Sequence, residues 1–164
     1  NEVGPLARMW ANGDYRNGIS VLDRIAARAL ETKKVADAMP EWVDQLVMSN
    51  PVYQSHTVPS TAAGWGWTEA PRGALGHWIN VSNSNISRYQ VLTPTAWNAS
   101  PRDDSGNPGA IEQALIGTPI ADMENPIELL RVVHSFDPCL ACAVHMVHPD
   151  SKKTVKIIDV PCGV

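Results

Sequence analysis

The spacing of apolar residues divides the chain into periodic and aperiodic stretches. From Gly18 to Lys34, the residues Val21, Leu22, Ile25, Ala26, Ala29 and Leu30 recur on one face, with Asp23, Arg24, Arg28 and Glu31 mostly off it. That period predicts an amphipathic helix. Pro40 interrupts the pattern. Glu41 to Met48, with Trp42, Val43, Leu46 and Val47 apolar, predicts a shorter second helix that Asn50-Pro51 stops. Residues 59–76 hold four glycines and two prolines among small residues, which predicts a close-packed loop. Next come "HWINV" and "ISRYQVL", two β-rich runs separated by Ser82-Asn83-Ser84-Asn85. They predict a small antiparallel hairpin near 77–92.

Residues 93–109 are again rich in Pro, Gly and Asn, and Ala110 to Ile116 predicts a short helix. A clearer helix start follows: Asn125 as N-cap, Pro126 at the first helical position and Glu128 at capping-box spacing, ahead of Leu129, Leu130, Val132 and Val133. Asp137-Pro138 repeats that signal and predicts a helical turn over 138–145. No internal repeat or low-complexity segment is present. The fold class expected is therefore mainly α with a small antiparallel β-hairpin, an α+β arrangement.

Composition narrows the function. At 164 residues the chain fits one domain with a respectable core. Apolar residues make up 44% and charged ones 18%, which excludes wholesale disorder. A net charge of −4, with no basic stripe on any predicted helix, argues against nucleic acid as a partner. Six Trp against one Phe suggest a rigid interior with polar seams, because each indole N–H wants a partner. No apolar run approaches the roughly 20 residues of a membrane span. The start, "NEVGPLARMW", lacks the basic-then-apolar order of a signal peptide, so no targeting segment is expected in this chain. Three cysteines do not make a closed disulfide framework, which favours metal or redox chemistry.

Two of those cysteines lie in "SFDPCLACAVHMVHPD", residues 135–150. If 138–145 is helical, Cys139, Cys142 and His145 share a face, and Asp137 caps the turn. A helix N-terminus favours thiolate, the form that binds metal. A lone CxxC in such a context divides about equally among structural, redox-active and metal-binding roles. A structural zinc site needs about four ligands. Forcing His148 into that set strains against Pro149, and a thioredoxin-like dithiol would follow a strand, not a helix. Spacing alone thus ends at a thiolate metal site, incomplete in this chain.

The wording of the motif adds more. "DPCLACAVH" closely resembles the C-terminal signature of the [NiFe] hydrogenase large subunit, Asp-Pro-Cys-x-x-Cys-x-x-His. "EVGPLAR" at 2–8, "GWTEAPRGALGHW" at 66–78, "YQVLTPTAWNASPRD" at 89–103 and "IGTPIAD" at 116–122 resemble the same family in the same order. The resemblance implies the C-terminal portion of the catalytic subunit of a respiratory, uptake-type enzyme, with the multihelical fold of that subunit. Its activity would be reversible heterolytic splitting of H2 into protons and electrons.

The resemblance also implies a nickel–iron centre held by four cysteines, with one carbon monoxide and two cyanides on iron. Cys139 would be a terminal nickel ligand, Cys142 would bridge nickel and iron, and His145 would ligate a nearby magnesium ion. Cysteine rather than selenocysteine at the first position disfavours the selenium-containing subclass. Arg72 resembles the arginine that lies over the metals, and Asp137 the carboxylate that pairs with it. Thr95 resembles the hydroxyl donor to a cyanide, and Pro71 and Pro94 line the ligand pocket. Outside its motif, Arg72 would be a surface ion pair in about four cases of five. His77 and Glu69 read as an ordinary hydrogen-bonded histidine and a loop carboxylate, and His56 and His134 carry no assignment.

The family's other metal-binding motif, Arg-x-Cys-Gly-x-Cys, is not within these 164 residues. The chain alone is accordingly expected to be inactive and to expose apolar surface. Residues 146–164 resemble the C-terminal extension that a nickel-dependent maturation endopeptidase removes by cutting after His145, leaving 1–145 as the mature part. The resemblance implies further partners: an iron–sulfur small subunit that takes the electrons, and through partner subunits a membrane-associated, periplasm-facing location. Two alternatives remain at this point, a metal-free structural or assembly protein on the same scaffold, and a small CxxC zinc or redox module.

Overall fold

The computed structural model describes residues 2–139, together with the backbone of the two-residue strands at 146–147 and 154–155. The described residues form helices and a three-stranded antiparallel sheet, the α+β character that the apolar pattern predicts. Element order is α1 (Pro5–Asn12), α2 (Val21–Asp44), β1 (Thr61–Ala70), β2 (Gly73–Ser82), β3 (Asn85–Leu92), α3 (Pro94–Asn98), α4 (Ala110–Leu115) and α5 (Ile127–Ser135). The strands β4 (Met146–Val147) and β5 (Thr154–Val155) pair antiparallel with each other.

Helix α2 starts as its sequence dictates. The Ser20 hydroxyl accepts from the Asp23 N–H at 3.3 Å while the Asp23 carboxylate accepts from the Ser20 N–H at 2.7 Å, a reciprocal capping box. Hydrogen bonds from the hydroxyls of Ser20 and then Tyr15 hold the Asp23 carboxyl below its ordinary range. The helix does not stop at Pro40, as the broken pattern suggested, but continues through it to Asp44. Pro40 leaves the Ala36 carbonyl without its N–H, and both residues are exposed, so solvent serves that carbonyl.

The hairpin near 77–92 is present, closed by Asn83 and Ser84 with φ of 51° and 58°. Two positive φ values in a two-residue turn match the right-handed twist of the flanking strands. The loop expected over 59–76 is instead strand β1, paired along its length with β2 from Thr61↔Ser82 to Ala70↔Gly73. Its alternating Trp65 and Trp67 lie on one face, and Gly64 and Gly66 on the other. Trp67 packs edge-on against Trp78 with ring centroids 4.9 Å apart. That cross-strand aromatic contact offsets the poor strand propensity of the glycines.

Two short helices were absent from the apolar reading. Helix α1 carries Pro5 at its first turn and ends at Gly13 in the left-handed region (φ 86°). Helix α3 has Pro94 in the same position. The final helix begins at Ile127 rather than Pro126, with no side-chain cap, so the expected Asn125–Glu128 capping box does not form. Asp137 has a left-handed φ of 52° and therefore not the extended backbone of an N-cap. The remainder of the helical turn expected over 138–145 lies outside the described residues.

Leu6, Met9 and Ala27 form the core between α1 and α2, with Tyr15 against them, and Val132 and Phe136 are buried on α5 and at its C-terminal end. Much apolar surface is left open: Leu22, Ile25, Trp42, Val43, Leu46, Met48, Val52 and Trp65 are all more than half exposed. No described helix is long and apolar enough to cross a membrane.

Candidate metal centre

Three separate stretches meet at one cavity of about 450 Å³. Its walls are Ala70, Pro71 and Arg72 from the β1–β2 turn, Thr93 to Ala96 and Ala99 around α3, and Cys139 beyond α5. Each wall has a local cause. Ala70-Pro71-Arg72-Gly73 carries proline second and glycine fourth, the pattern of a tight type I turn. Pro94 sets the first turn of α3 and is buried, which directs Thr95 to the cavity. Residues 136–139 leave α5 through the left-handed Asp137, with Phe136 and Pro138 buried on either side of it.

Polar bonds join the walls. Arg72 Nε donates to the Asp137 carbonyl oxygen at 3.0 Å and lies 3.3 Å from its carboxylate. Both side chains are nearly half exposed, so the pair orients more than it stabilises. The Cys139 N–H donates to Thr95 Oγ1 at 3.2 Å. A hydroxyl that accepts retains its own hydrogen, so Thr95 keeps a donor to offer into the cavity. Cys139 is a free, exposed thiol.

Around the cavity runs a set of anchors that sequence reading had missed. The buried Asn98 amide grips the Val3 backbone with two bonds of 2.9 Å, accepting from its N–H and donating to its carbonyl. Arg24 pairs with Glu2 at 2.7 Å and stacks over the Phe136 ring, 3.8 Å from the centroid. Arg28 donates to the carbonyl of Ser135 at 2.9 Å, tying α2 to the end of α5. Gly4 (φ 122°) and Gly73 (φ 134°) pack against each other: a Cβ on Gly73 would lie 2.8 Å from the Gly4 nitrogen, and one on Gly4 would lie 2.9 Å from the Arg72 carbonyl oxygen. Gly4, Gly73 and Asn98 had no local periodic signal, and Arg24 and Arg28 fall in the periodic stretch of α2 but off its apolar face. Asn98 and Gly73 lie in stretches dense with Pro and Gly, and only their place within the quoted family motifs could have raised them.

Pro71, Arg72, Pro94, Thr95 and Cys139 thus line one cavity, with Asp137 bonded to Arg72 at its edge. Cys142 and His145 lie outside the described residues, as do His148 and Cys162. His77 is hydrogen-bonded to the Tyr89 hydroxyl at 2.6 Å, and Glu69 pairs with Arg8 at 2.7 Å from strand β1 rather than from a loop. His56 faces its neighbour's carbonyl at Gln54. Among the described residues no group of three His, Cys, Asp or Glu side chains could hold a metal. Among those residues Cys139 is the single soft donor at the cavity.

Comparison with known proteins gives this geometry a context. Residues 10–145 match the family model described as nickel-dependent hydrogenase. The uptake hydrogenase large subunit of Bradyrhizobium diazoefficiens is 41% identical, over 95% of this chain and 31% of its own length. The periplasmic [NiFeSe] hydrogenase large subunit of Desulfomicrobium baculatum is 38% identical, over 92% and 34%. Among solved structures, the Ni-Fe-Se hydrogenase of D. vulgaris Hildenborough in the reduced state superposes with a TM-score of 0.78 at 39% identity, covering 88% of this chain and 35% of that one. The chain belongs to the nickel-dependent hydrogenase family. It spans about a third of the length of the curated relatives it matches.

Proposed function

We propose that this chain is the C-terminal part of the catalytic subunit of an uptake-type [NiFe] hydrogenase, supplying Cys139 and Cys142 to the nickel–iron centre and His145 to a magnesium ion. The observation that carries the proposal is the convergence of Arg72, Thr95 and Cys139 on one cavity, in a chain of this family. The lining fits the group. Prolines and alanines give an apolar wall suited to carbon monoxide on iron, while Thr95 and Arg72 offer donors of the kind that cyanide nitrogen accepts. The described residues supply one thiol, so they fit one edge of a four-cysteine centre and not the whole of it. When bound, the centre supplies the heterolytic cleavage of H2.

The chain's own residues prepare that edge. Thr95 holds the backbone of Cys139 so that its sulfur opens on the cavity. Arg72, held by Asp137, fixes a cation at the rim, where it offsets the negative charge that thiolates and cyanides gather. Pro71 and Pro94 make the wall between them apolar. Electrons would leave to an iron–sulfur small subunit, and the assembled enzyme would face the periplasm on the membrane through partner subunits; the D. baculatum relative bears the name periplasmic. Cysteine at 139 supports the [NiFe] over the selenium-containing form, although solved selenium-type structures share the fold. The family match ends at residue 145, which supports removal of 146–164 by a maturation endopeptidase.

The test uses the complete large subunit, carrying this chain as its C-terminal part, produced with its small subunit and maturation machinery. Cys139→Ser is expected to abolish both nickel incorporation and H2 uptake. Full nickel content with undiminished uptake in that variant would overturn the proposal, and so would zinc in place of nickel and iron in the unsubstituted protein. Intact mass of the active enzyme is expected to end at His145; a retained tail would refute the processing step.

A further inference from the structure

The guanidinium of Arg8 has every nitrogen engaged. Nε and Nη2 donate to the two oxygens of Glu31 on α2, at 2.7 and 2.6 Å. Nη1 donates to Glu69 at 2.7 Å and to the carbonyl of Ala70 at 3.0 Å, and Nη2 donates again to the carbonyl of Pro71 at 3.0 Å. One side chain, itself 23% exposed, therefore ties α1 and α2 to the end of β1 and to the turn that carries Arg72. The Glu31 hydrogen bond, with help from Glu69, raises the Arg8 pKa above its already high ordinary value, so the charge is permanent. Planar, forked donors are what this arrangement requires; a lysine ammonium cannot span a carboxylate on one helix and two carbonyls on a turn.

Among the described residues Arg72 has no comparable support of its own. Its side chain is 48% exposed and bonds to Asp137 at the edge of the cavity. Where the guanidinium lies is therefore set by the backbone of its turn together with Asp137. That backbone is gripped on one side by Gly4, which leaves no room for a Cβ against the Arg72 carbonyl, and on the other by Arg8. One grip comes from the residue just before α1 and the other from within it.

We propose that Arg8 is a positioning residue for the candidate metal centre, holding the Ala70–Gly73 turn so that Arg72 stays at the rim beside Cys139. The inference rests on the reading of that cavity as one edge of a nickel–iron site.

The experiment uses the complete two-subunit hydrogenase with Arg8→Met, Arg8→Lys and Glu31→Gln. Three readouts are taken: nickel content, H2 uptake, and the infrared stretching bands of the diatomic ligands on iron. Amide hydrogen exchange at residues 72–76 reports the turn independently of any metal. Arg8→Met is expected to keep its nickel, speed exchange at the turn, shift the infrared bands and lower uptake about tenfold to a hundredfold, the cost of a small misplacement. Arg8→Lys is expected to give smaller changes in the same direction, and it decides the matter if Arg8→Met does not load nickel. Glu31→Gln leaves the three bonds to the turn region in place, so its bands and turn exchange are expected to match the unsubstituted enzyme. Unchanged bands and turn exchange in both Arg8 variants would overturn the inference. So would an equal shift in Glu31→Gln, which would mean that Arg8 acts only through the α1–α2 packing. If the unsubstituted enzyme holds no nickel, the reading of the site fails by itself, while exchange at the turn still decides whether Arg8 grips it.

Discussion

Strand β2 is closed at both ends by a two-residue turn, and the two turns are held in opposite ways. At Asn83-Ser84 both residues take left-handed φ, and the one backbone bond reaching outside the hairpin's own turn runs from Ser84 N–H to the carbonyl of Ser60. That turn is exposed and set by local chemistry. At Pro71-Arg72 the turn is pressed against Gly4, bonded by Arg8 and linked to Asp137, and Gly73 beside it is buried. The contrast teaches where precision was invested. The end remote from the cavity needs only to reverse the chain, whereas the end at the cavity has its coordinates imposed by segments far away in sequence.

Substitutions at the two ends should therefore differ in size and sign. Asn98→Ala strips both bonds from the half-buried Val3 backbone, loosening the chain beside Gly4. It should cost about 2–4 kcal/mol in urea unfolding of the chain, since two half-buried groups lose their partners. Gly73→Ala places a Cβ 2.7 Å from Val3 Cγ2 at a φ that L residues rarely adopt, and should cost about 1–3 kcal/mol by the same measurement. At the other turn, Ser84→Gly relieves one left-handed residue and should stabilise the chain by about 0.5–1 kcal/mol, with uptake by the complete enzyme unchanged. Equal costs at both ends would erase the distinction, and a destabilising Ser84→Gly would reverse it.

The same contrast explains what could be read from the amino acids. The hairpin around Ser82–Asn85 was legible because β-rich runs and turn residues adjoin each other. The start of α2 was legible because its apolar spacing is regular. Strand β1 was not, because Gly64 and Gly66 dilute its pattern and its order comes from pairing with β2. Helices α1 and α3 left only a proline at the first turn, a signal easily lost beside glycine and threonine. Pro40 misled because it sits where the helix is exposed and no partner suffers. At the cavity, Arg72, Thr95 and Cys139 were found through motif wording, whereas Arg8, Asn98 and Gly4 act through contacts that no local pattern encodes.

The bonds that join the cavity walls, and those that anchor the segments around them, also carry information about assembly. Thr95 and Cys139 are 44 residues apart, Arg72 and Asp137 are 65, Val3 and Asn98 are 95, and Arg28 and Ser135 are 107. Contacts that enclose so much chain must meet a loop-closure cost before they return anything, so they form after hairpins and single helices. The sheet and α2 can therefore exist before the cavity does. Of these four contacts the one that seats Cys139 against Thr95 encloses the least chain, so the thiol's segment meets the smallest closure cost.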